Sequence, residues 1–468
     1  MVTGHKAQDL RKGQSPIPHR ACAWILTAAV TLCAVSIAPA GATGTSSSIE
    51  STASDLFKAG DYAAVTALFQ TIPPGTAVSN QVLRLSLLSY VRLGRTDEAL
   101  AIYTRLVPAG HAHDAALLRP LALTVITSHV RDRKEHVRIA AYTALAELGL
   151  PETAAVLEDG LLDSSVLVRA RAAEAIGKAG LAKKSGALRR ALGDQMPTVR
   201  IAATTALGEA KAVDLIDRFS EIARTDEGPE SIFASAALYH MGRSDTLADI
   251  TNSATLPDAD LRMAALGVLG RLKRPTSLAV LSQAVYDPNP AVRAFAAGAL
   301  GEFGSPGGVA PLTHAIGDEV AMVRSVAAGS LGRLGIKNNR PLLQALTRDS
   351  SWQVRAAAVE GLLRLGEASG IPLAAELARQ ADPSVRAAAA QALSATSDAQ
   401  AVAILEPLLL DMQPLPRLMA ARALGGNTGP VVPLLVNALR DSDEAVRIVA
   451  AGSMLRQLDR KHSPPRRR

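Results

Sequence analysis

One register runs through this chain and dictates most of what it can fold into. Arg138, Arg169, Arg200, Arg262, Arg293, Arg324, Arg355, Arg386 and Arg417 stand on a comb with a step of 31 residues, Ser231 fills the one missing tooth, and Arg447 follows after a step of 30. Six positions before the comb lie Asp132, Asp163, Asp194, Asp287, Asp318, Asp349, Asp411 and Asp441, and the series is broken at Thr225, Leu256 and Gln380. Eleven units therefore occupy about 340 of the 468 residues. A fixed period of this length means a stacked array rather than several cores of ordinary size.

The spacing inside one unit gives its structure. Apolar residues recur twelve and eight positions before the Arg, as in Leu157/Leu161, Leu188/Leu192 and Leu435/Leu439, which makes one buried helical stripe. After a short Asp-containing turn, a small residue falls three after the Arg and a larger apolar one seven after, as in Ala172/Ile176, Ala203/Leu207 and Ala296/Leu300, again on one face. Neither helix buries its stripe alone, so hairpins must stack on their neighbours. With 3% aromatic residues the core is built from Ala, Leu and Val, and small side chains permit close helix approach. The expected fold is all-α, a right-handed α-solenoid of stacked helical hairpins over residues 115–458.

The phrase Asp-x-x-x-x-Val-Arg-x-x-Ala-Ala-x-Ala-Leu-Gly, read at Asp163 to Gly177 and Asp194 to Gly208, resembles the HEAT repeat, in particular the short, Ala-rich type also found in phycobiliprotein lyases. The resemblance implies that Asp and Arg form an internal ladder between units. The residues agree: an Asp in the turn accepts backbone N–H bonds at the start of the second helix, and an Arg at that height pairs with it or with a neighbour's. The structural ladder is thus expected at Asp132/Arg138, Asp163/Arg169, Asp194/Arg200, Asp287/Arg293, Asp318/Arg324 and Asp349/Arg355. Where Thr225, Ser231 and Leu256 replace its members, a weak joint is expected between about 225 and 262.

Residues 53–110 follow another period. Gly60 in Lys58-Ala59-Gly60-Asp61-Tyr62 and Gly94 in Arg92-Leu93-Gly94-Arg95-Thr96 are 34 apart, with Val65 and Ala99 five after and Phe69 and Tyr103 nine after. This resembles tetratricopeptide repeats and implies two helical hairpins ahead of the solenoid.

The formal charge of +7 sits at the ends. Residues 1–42 carry a net +3 and residues 456–468 a net +5, which leaves the body near −1. A near-neutral body lacks the basic footprint of a nucleic-acid surface, so no nucleic acid is expected on the solenoid. Behind the basic leader runs an apolar stretch, 21–38, followed by Ala40-Gly41-Ala42, a pattern of signal peptide and cleavage site. Export to the periplasm or extracellular space is the expectation, with a membrane anchor at 21–38 as the alternative. A Ser/Thr-rich linker is expected at 43–52 and a basic disordered tail at 459–468; either terminal segment offers membrane association.

Chemistry is hard to find. Both cysteines, Cys22 and Cys33, lie in the leader, so a cleaved chain has no thiol nucleophile. No G-x-S-x-G, phosphate loop or His-Glu-x-x-His is present, His111-x-His113 lacks companion ligands, and the His-Glu dyads that resemblance to deoxyhypusine hydroxylases would require are missing. The G-x-x-G steps at Gly267/Gly270, Gly298/Gly301 and Gly329/Gly332 lie inside second helices, where close helix packing explains them and ligand approach is the alternative. No catalytic residue, cofactor or metal is expected. The expected function is a non-catalytic protein-binding scaffold, the alternative being an enzyme or a chromophore- or metal-binding factor of the HEAT-like lyase type. The row nine after the comb lies off the buried stripe and includes His240, Arg271, Arg333 and Arg364, the expected contacts for a protein partner with an acidic segment.

Overall fold

Each unit folds as its spacing requires: a short first helix, an Asp turn, and a longer second helix. In unit 2 the first helix Ala154–Gly160 buries Leu157 and the second helix Val166–Lys178 buries Val168, Ala172, Ala173 and Ile176. Ser165 caps the second helix by accepting the Val168 N–H at 3.3 Å, satisfying one of its orphan donors. The computed structural model describes residues 44–108 and 112–460, which form twenty-six α-helices, six short 3-10 turns and no strand among the described residues. A positive-φ residue closes the second helices at the same step of 31, from Gly149 to Gly366, and Lys211 and Lys273 occupy two of these left-handed positions.

The N-terminal part forms four helices: α1 Gly44–Lys58, α2 Tyr62–Gln70, α3 Asn80–Arg92 and α4 Thr96–Leu106. The stretch 43–52 expected as a linker is largely the first part of α1, whose apolar Ile49, Ala53 and Leu56 are spaced for one helical face. Likewise Asp459 and Arg460, expected in the tail, complete the last helix Glu444–Arg460. The leader at 1–42, His111 and the tail beyond Arg460 lie outside the described residues. No described helix is long and apolar enough to cross a membrane.

From Ile49 onward the chain is one compact body. Successive second helices pack along each other throughout the series, whereas the first helices touch second helices, their own and in most units the preceding one, and scarcely touch each other. The second helices therefore stand on the shorter, inner circumference. Gly provides the close approach. A Cβ at Gly177 would lie 2.8 Å from Ala206 Cβ, and one at Gly208 would lie 2.6 Å from Ala237 Cα. The second members of the G-x-x-G steps do the same work, with Gly270 against Ala299, Gly301 against Ser330 and Gly332 against Gly361, while Gly267, Gly298 and Gly329 leave room for a Cβ.

The solenoid does not stay open. Its last helix, Glu444–Arg460, packs against both helices of unit 1, Ala115–Ser128 and Glu135–Leu148. Leu118, Leu145, Met454 and Leu458 share one buried cluster across this seam. Closure after eleven units requires about 33° of rotation per unit. Eleven helices about 9 Å apart form a circle about 32 Å between axes, which leaves an opening of about 20 Å once helix width is subtracted.

Candidate functional site

A second helix in a closed ring is covered by its own first helix outside and by neighbours on both flanks. Only the face at plus two, plus five and plus nine from the comb position remains, and it points into the lumen. The exposed Phe295 and Met322 and the half-buried Phe233 and Val326 lie on or beside this face, next to the small Ala236, Gly267, Gly298 and Gly329. Phe295 reaches over Gly267, with 3.4 Å between its ring and the place of a Cβ. One arc of the lumen is thus a shallow apolar floor.

The four residues expected to meet a partner lie on the lumen side of this arc but differ in state. Arg271 stacks over the Phe233 ring at 5.8 Å, and with His240 it lines a cavity of about 120 Å³ that spans the second helices of units 3, 4 and 5. Burial pushes the His240 pKa down, against the pull of Glu209, so the ring is favoured neutral. Arg333 is exposed and donates to Ser330 Oγ at 2.7 Å. Arg364 is engaged by Glu360 on its own helix at 2.6 Å. Arg271 and Arg333 are therefore the two of the four that keep a guanidinium free of a carboxylate partner at ion-pair distance among the described residues.

The comb residues occupy the outer edge of the stack, away from the lumen stripe. Arg138 holds Asp163 of the next unit with two bonds of 2.8 and 2.9 Å, and its third donor reaches the Asp132 carbonyl at 2.9 Å. The same fork joins Arg169 to Asp194, Arg293 to Asp318 and Arg324 to Asp349, and also Arg262 to Asp287, Arg386 to Asp411 and Arg417 to Asp441. Each pair spans two units rather than closing one, and side chains such as Arg138 and Asp163 are only 12% and 13% exposed. Hydrogen bonds from Arg169 hold the Asp194 carboxyl below its ordinary pKa, opposed by burial. Two of the expected ladder arginines depart from the pattern. Arg200 uses Glu230 in place of an Asp, and Arg355 reaches only the carbonyls of Asp349 and Ser350 because Gln380 stands where the next Asp belongs.

The seam has its own polar contacts, which the periodic pattern does not disclose. Lys134 Nζ meets Glu444 at 2.9 Å, Arg119 meets Asp459, and Glu147 receives both Arg422 and Arg456. Arg447 reaches Asp97 of α4 at 3.4 Å. Beside the seam lies the larger cavity, about 800 Å³, between Tyr103, Val107 and His113 on one side and Asn427, Pro430, Val436 and Gln457 on the other. Tyr103 Oη bonds His113 Nδ1 at 3.0 Å, and burial pushes the phenol up to about 12. The Asn427-Thr-Gly-Pro430 turn, which departs from the repeat, and the His111-x-His113 pair are the sequence signals near this cavity. Among the described residues no His, Cys, Asp and Glu cluster is arranged to hold a metal.

Comparison with known proteins gives the repeat its family. Solved structures similar to parts of the chain include the CpcE–CpcF complex of phycocyanin lyase from Nostoc sp. PCC7120, 18% identical over 51% of this chain and 94% of that one, TM-score 0.36. Human deoxyhypusine hydroxylase is 20% identical over 55% of this chain and 99% of that one, TM-score 0.26. An engineered protein is 18% identical over 72% of this chain and 99% of that one, TM-score 0.27. No curated relative matches the sequence. The sequence profile for HEAT repeats matches residues 115–177, 161–239, 279–338 and 339–414, with 53–108 outside the match. Those four stretches cover more than half of the chain and coincide with the stacked hairpins, and the chain belongs to the HEAT repeats.

Proposed function

We propose that the chain is a non-catalytic scaffold that holds a protein segment against the inner wall of its ring, and that it works in the cell envelope or secreted space. The observation that carries this reading is the arc of lumen where Phe233, Phe295 and Val326 form an apolar floor beside Arg271 and Arg333. An opening of about 20 Å accepts one helix with its side chains, about 10–12 Å across. The occupant that fits is an amphipathic helix with acidic residues flanking its apolar stripe. The leader pattern at 21–42 supports export.

The test is retention of a partner from the exported fraction by the intact chain, by Arg271→Glu/Arg333→Glu, and by Arg348→Glu, a control at an exposed residue in the turn after the first helix of unit 8, Arg340–Leu346. The reading expects the lumen double variant alone to lose the partner, with a marked salt dependence in the intact chain. Equal retention by all three overturns it. N-terminal sequencing of the purified chain is expected to begin near Thr43, and a start at Met1 in a cytoplasmic fraction overturns export. The seam cavity favours a second reading, a small-ligand or chromophore factor of the HEAT-like lyase type. Its discriminator is the absorbance spectrum and metal content of the purified chain.

A further inference from the structure

The ring carries interruptions of two kinds, and they adjoin each other. The ladder lacks a pair between units 4 and 5, where Ser231 bonds only the Gly228 carbonyl and Leu256 offers no carboxylate, and between units 8 and 9, where Arg355 faces Gln380. The buried apolar side chains fall into two separate clusters rather than one. The division runs through the second helix of unit 4, Pro229–His240, with Ala234, Ala237 and Leu238 in one cluster and Ile232 and Ala236 in the other. It runs again through the second helix of unit 8, Trp352–Arg364, with Ala356, Val359 and Leu363 in one and Val354, Ala358 and Leu362 in the other. A third observation marks the first of these places: a cavity lies over the second helix of unit 4, at Phe233 and His240, and reaches Glu209 of unit 3 on one side and Arg271 of unit 5 on the other.

We propose that the ring is two stiff arcs, units 5–8 and units 9–11 continued through the seam into units 1–4, which meet at two compliant joints. In an array, stiffness is the sum of nearest-neighbour contacts, so the units where a missing ion pair adjoins a break in the core yield first. A closed ring with one soft joint is held rigid by the rest of its circumference. With two, the shorter arc tilts against the longer one while the seam stays intact, and the lumen widens or narrows. Phe295, Met322 and Val326 of the apolar floor belong to the short arc while Phe233 lies at the joint, so this motion carries most of that floor toward or away from the opposite wall. The device does not depend on the binding role proposed above.

The test uses the full chain with Cys22→Ser and Cys33→Ser and spin labels on exposed lumen positions. Leu167→Cys with Phe295→Cys spans a joint, and Leu167→Cys with Leu415→Cys lies within the long arc and spans the seam. The first pair is expected to give a broad distance distribution and the second a narrow one. Gln380→Asp supplies the missing carboxylate opposite Arg355; it is expected to narrow the first distribution and to slow amide exchange in 365–386 by about tenfold, with exchange in 226–262 unchanged. Equal widths for both pairs, or a folded Gln380→Asp chain with unaltered exchange and width, overturns the proposal. If Gln380→Asp fails to fold, Arg293→Gln serves: it removes a ladder pair inside the short arc and is expected to raise exchange there to the level of the joints, and no change overturns the proposal.

Discussion

Replacing Asp194 by Asn removes one charge from the ladder and almost nothing else. Arg169 now holds Asp194 through bonds of 2.8 and 3.0 Å, with the two side chains 15% and 13% exposed. Breaking a buried ion pair by removing one partner costs about 3–5 kcal/mol. The cost is smaller here, because Asn still accepts one of the two bonds and the Met196 N–H, now 2.9 Å from Asp194 Oδ1, while Arg169 keeps its bond to the Asp163 carbonyl at 2.9 Å. The remaining loss is about 2 kcal/mol, or about a 30-fold increase in local opening. Hydrogen exchange of residues 166–209 at neutral pH measures it. The folded-state pKa of Asp194 is lowered, so its contribution is fully present above the unfolded value near 4 and is lost as pH falls through the folded value. The difference between wild type and variant is therefore expected at pH 7 and to shrink progressively below about pH 4. A folded variant with wild-type exchange across units 2 and 3 at pH 7 refutes the ladder's part in stability.

Gly208→Ala is expected to destabilise the chain in thermal melts because its Cβ would meet the Ala237 backbone at 2.6 Å, whereas Gly329→Ala, with nothing nearer than Arg333 at 4.0 Å, is expected to gain up to about 1 kcal/mol of helix propensity. Glu147→Gln is expected to loosen the seam by about 1 kcal/mol, seen as roughly fivefold faster exchange in 444–458 at low salt and little change at high salt. Lys273→Gly is expected to raise the melting temperature slightly, since Lys273 sits at φ +52°, a conformation that costs a side-chain-bearing residue about 1 kcal/mol.

The hairpin and its repetition were legible because they rest on spacings within 31 residues: Leu157 and Leu161, Val168, Ala172 and Ile176 are buried where their periodicity puts them. The comb also marked Ser231, Leu256 and Gln380 as breaks. Closure was not legible. It depends on the sum of small rotations between units, each set by how closely residues such as Gly177 and Ala206 approach, and a few degrees per unit decide between an open spiral and a ring. The seam contacts were hidden for the same reason, because Lys134 and Glu444 are 310 residues apart and neither stands on the comb. The lumen row was readable from its offset, but the engagement of Arg364 by Glu360 and the stacking of Arg271 on Phe233 required the helices in place.

Ring closure is the claim on which the lumen, the seam and the two joints all depend, and one covalent measurement addresses it. Carbodiimide joins an amine to a carboxylate only at ion-pair distance, and Lys134 Nζ lies 2.9 Å from Glu444 Oε1 at the seam. Treatment of the dilute full chain followed by peptide mass spectrometry is predicted to give a Lys134–Glu444 isopeptide within the monomeric band. Absence of that isopeptide, or its appearance only in a dimeric band, would show that the two ends of the array do not meet.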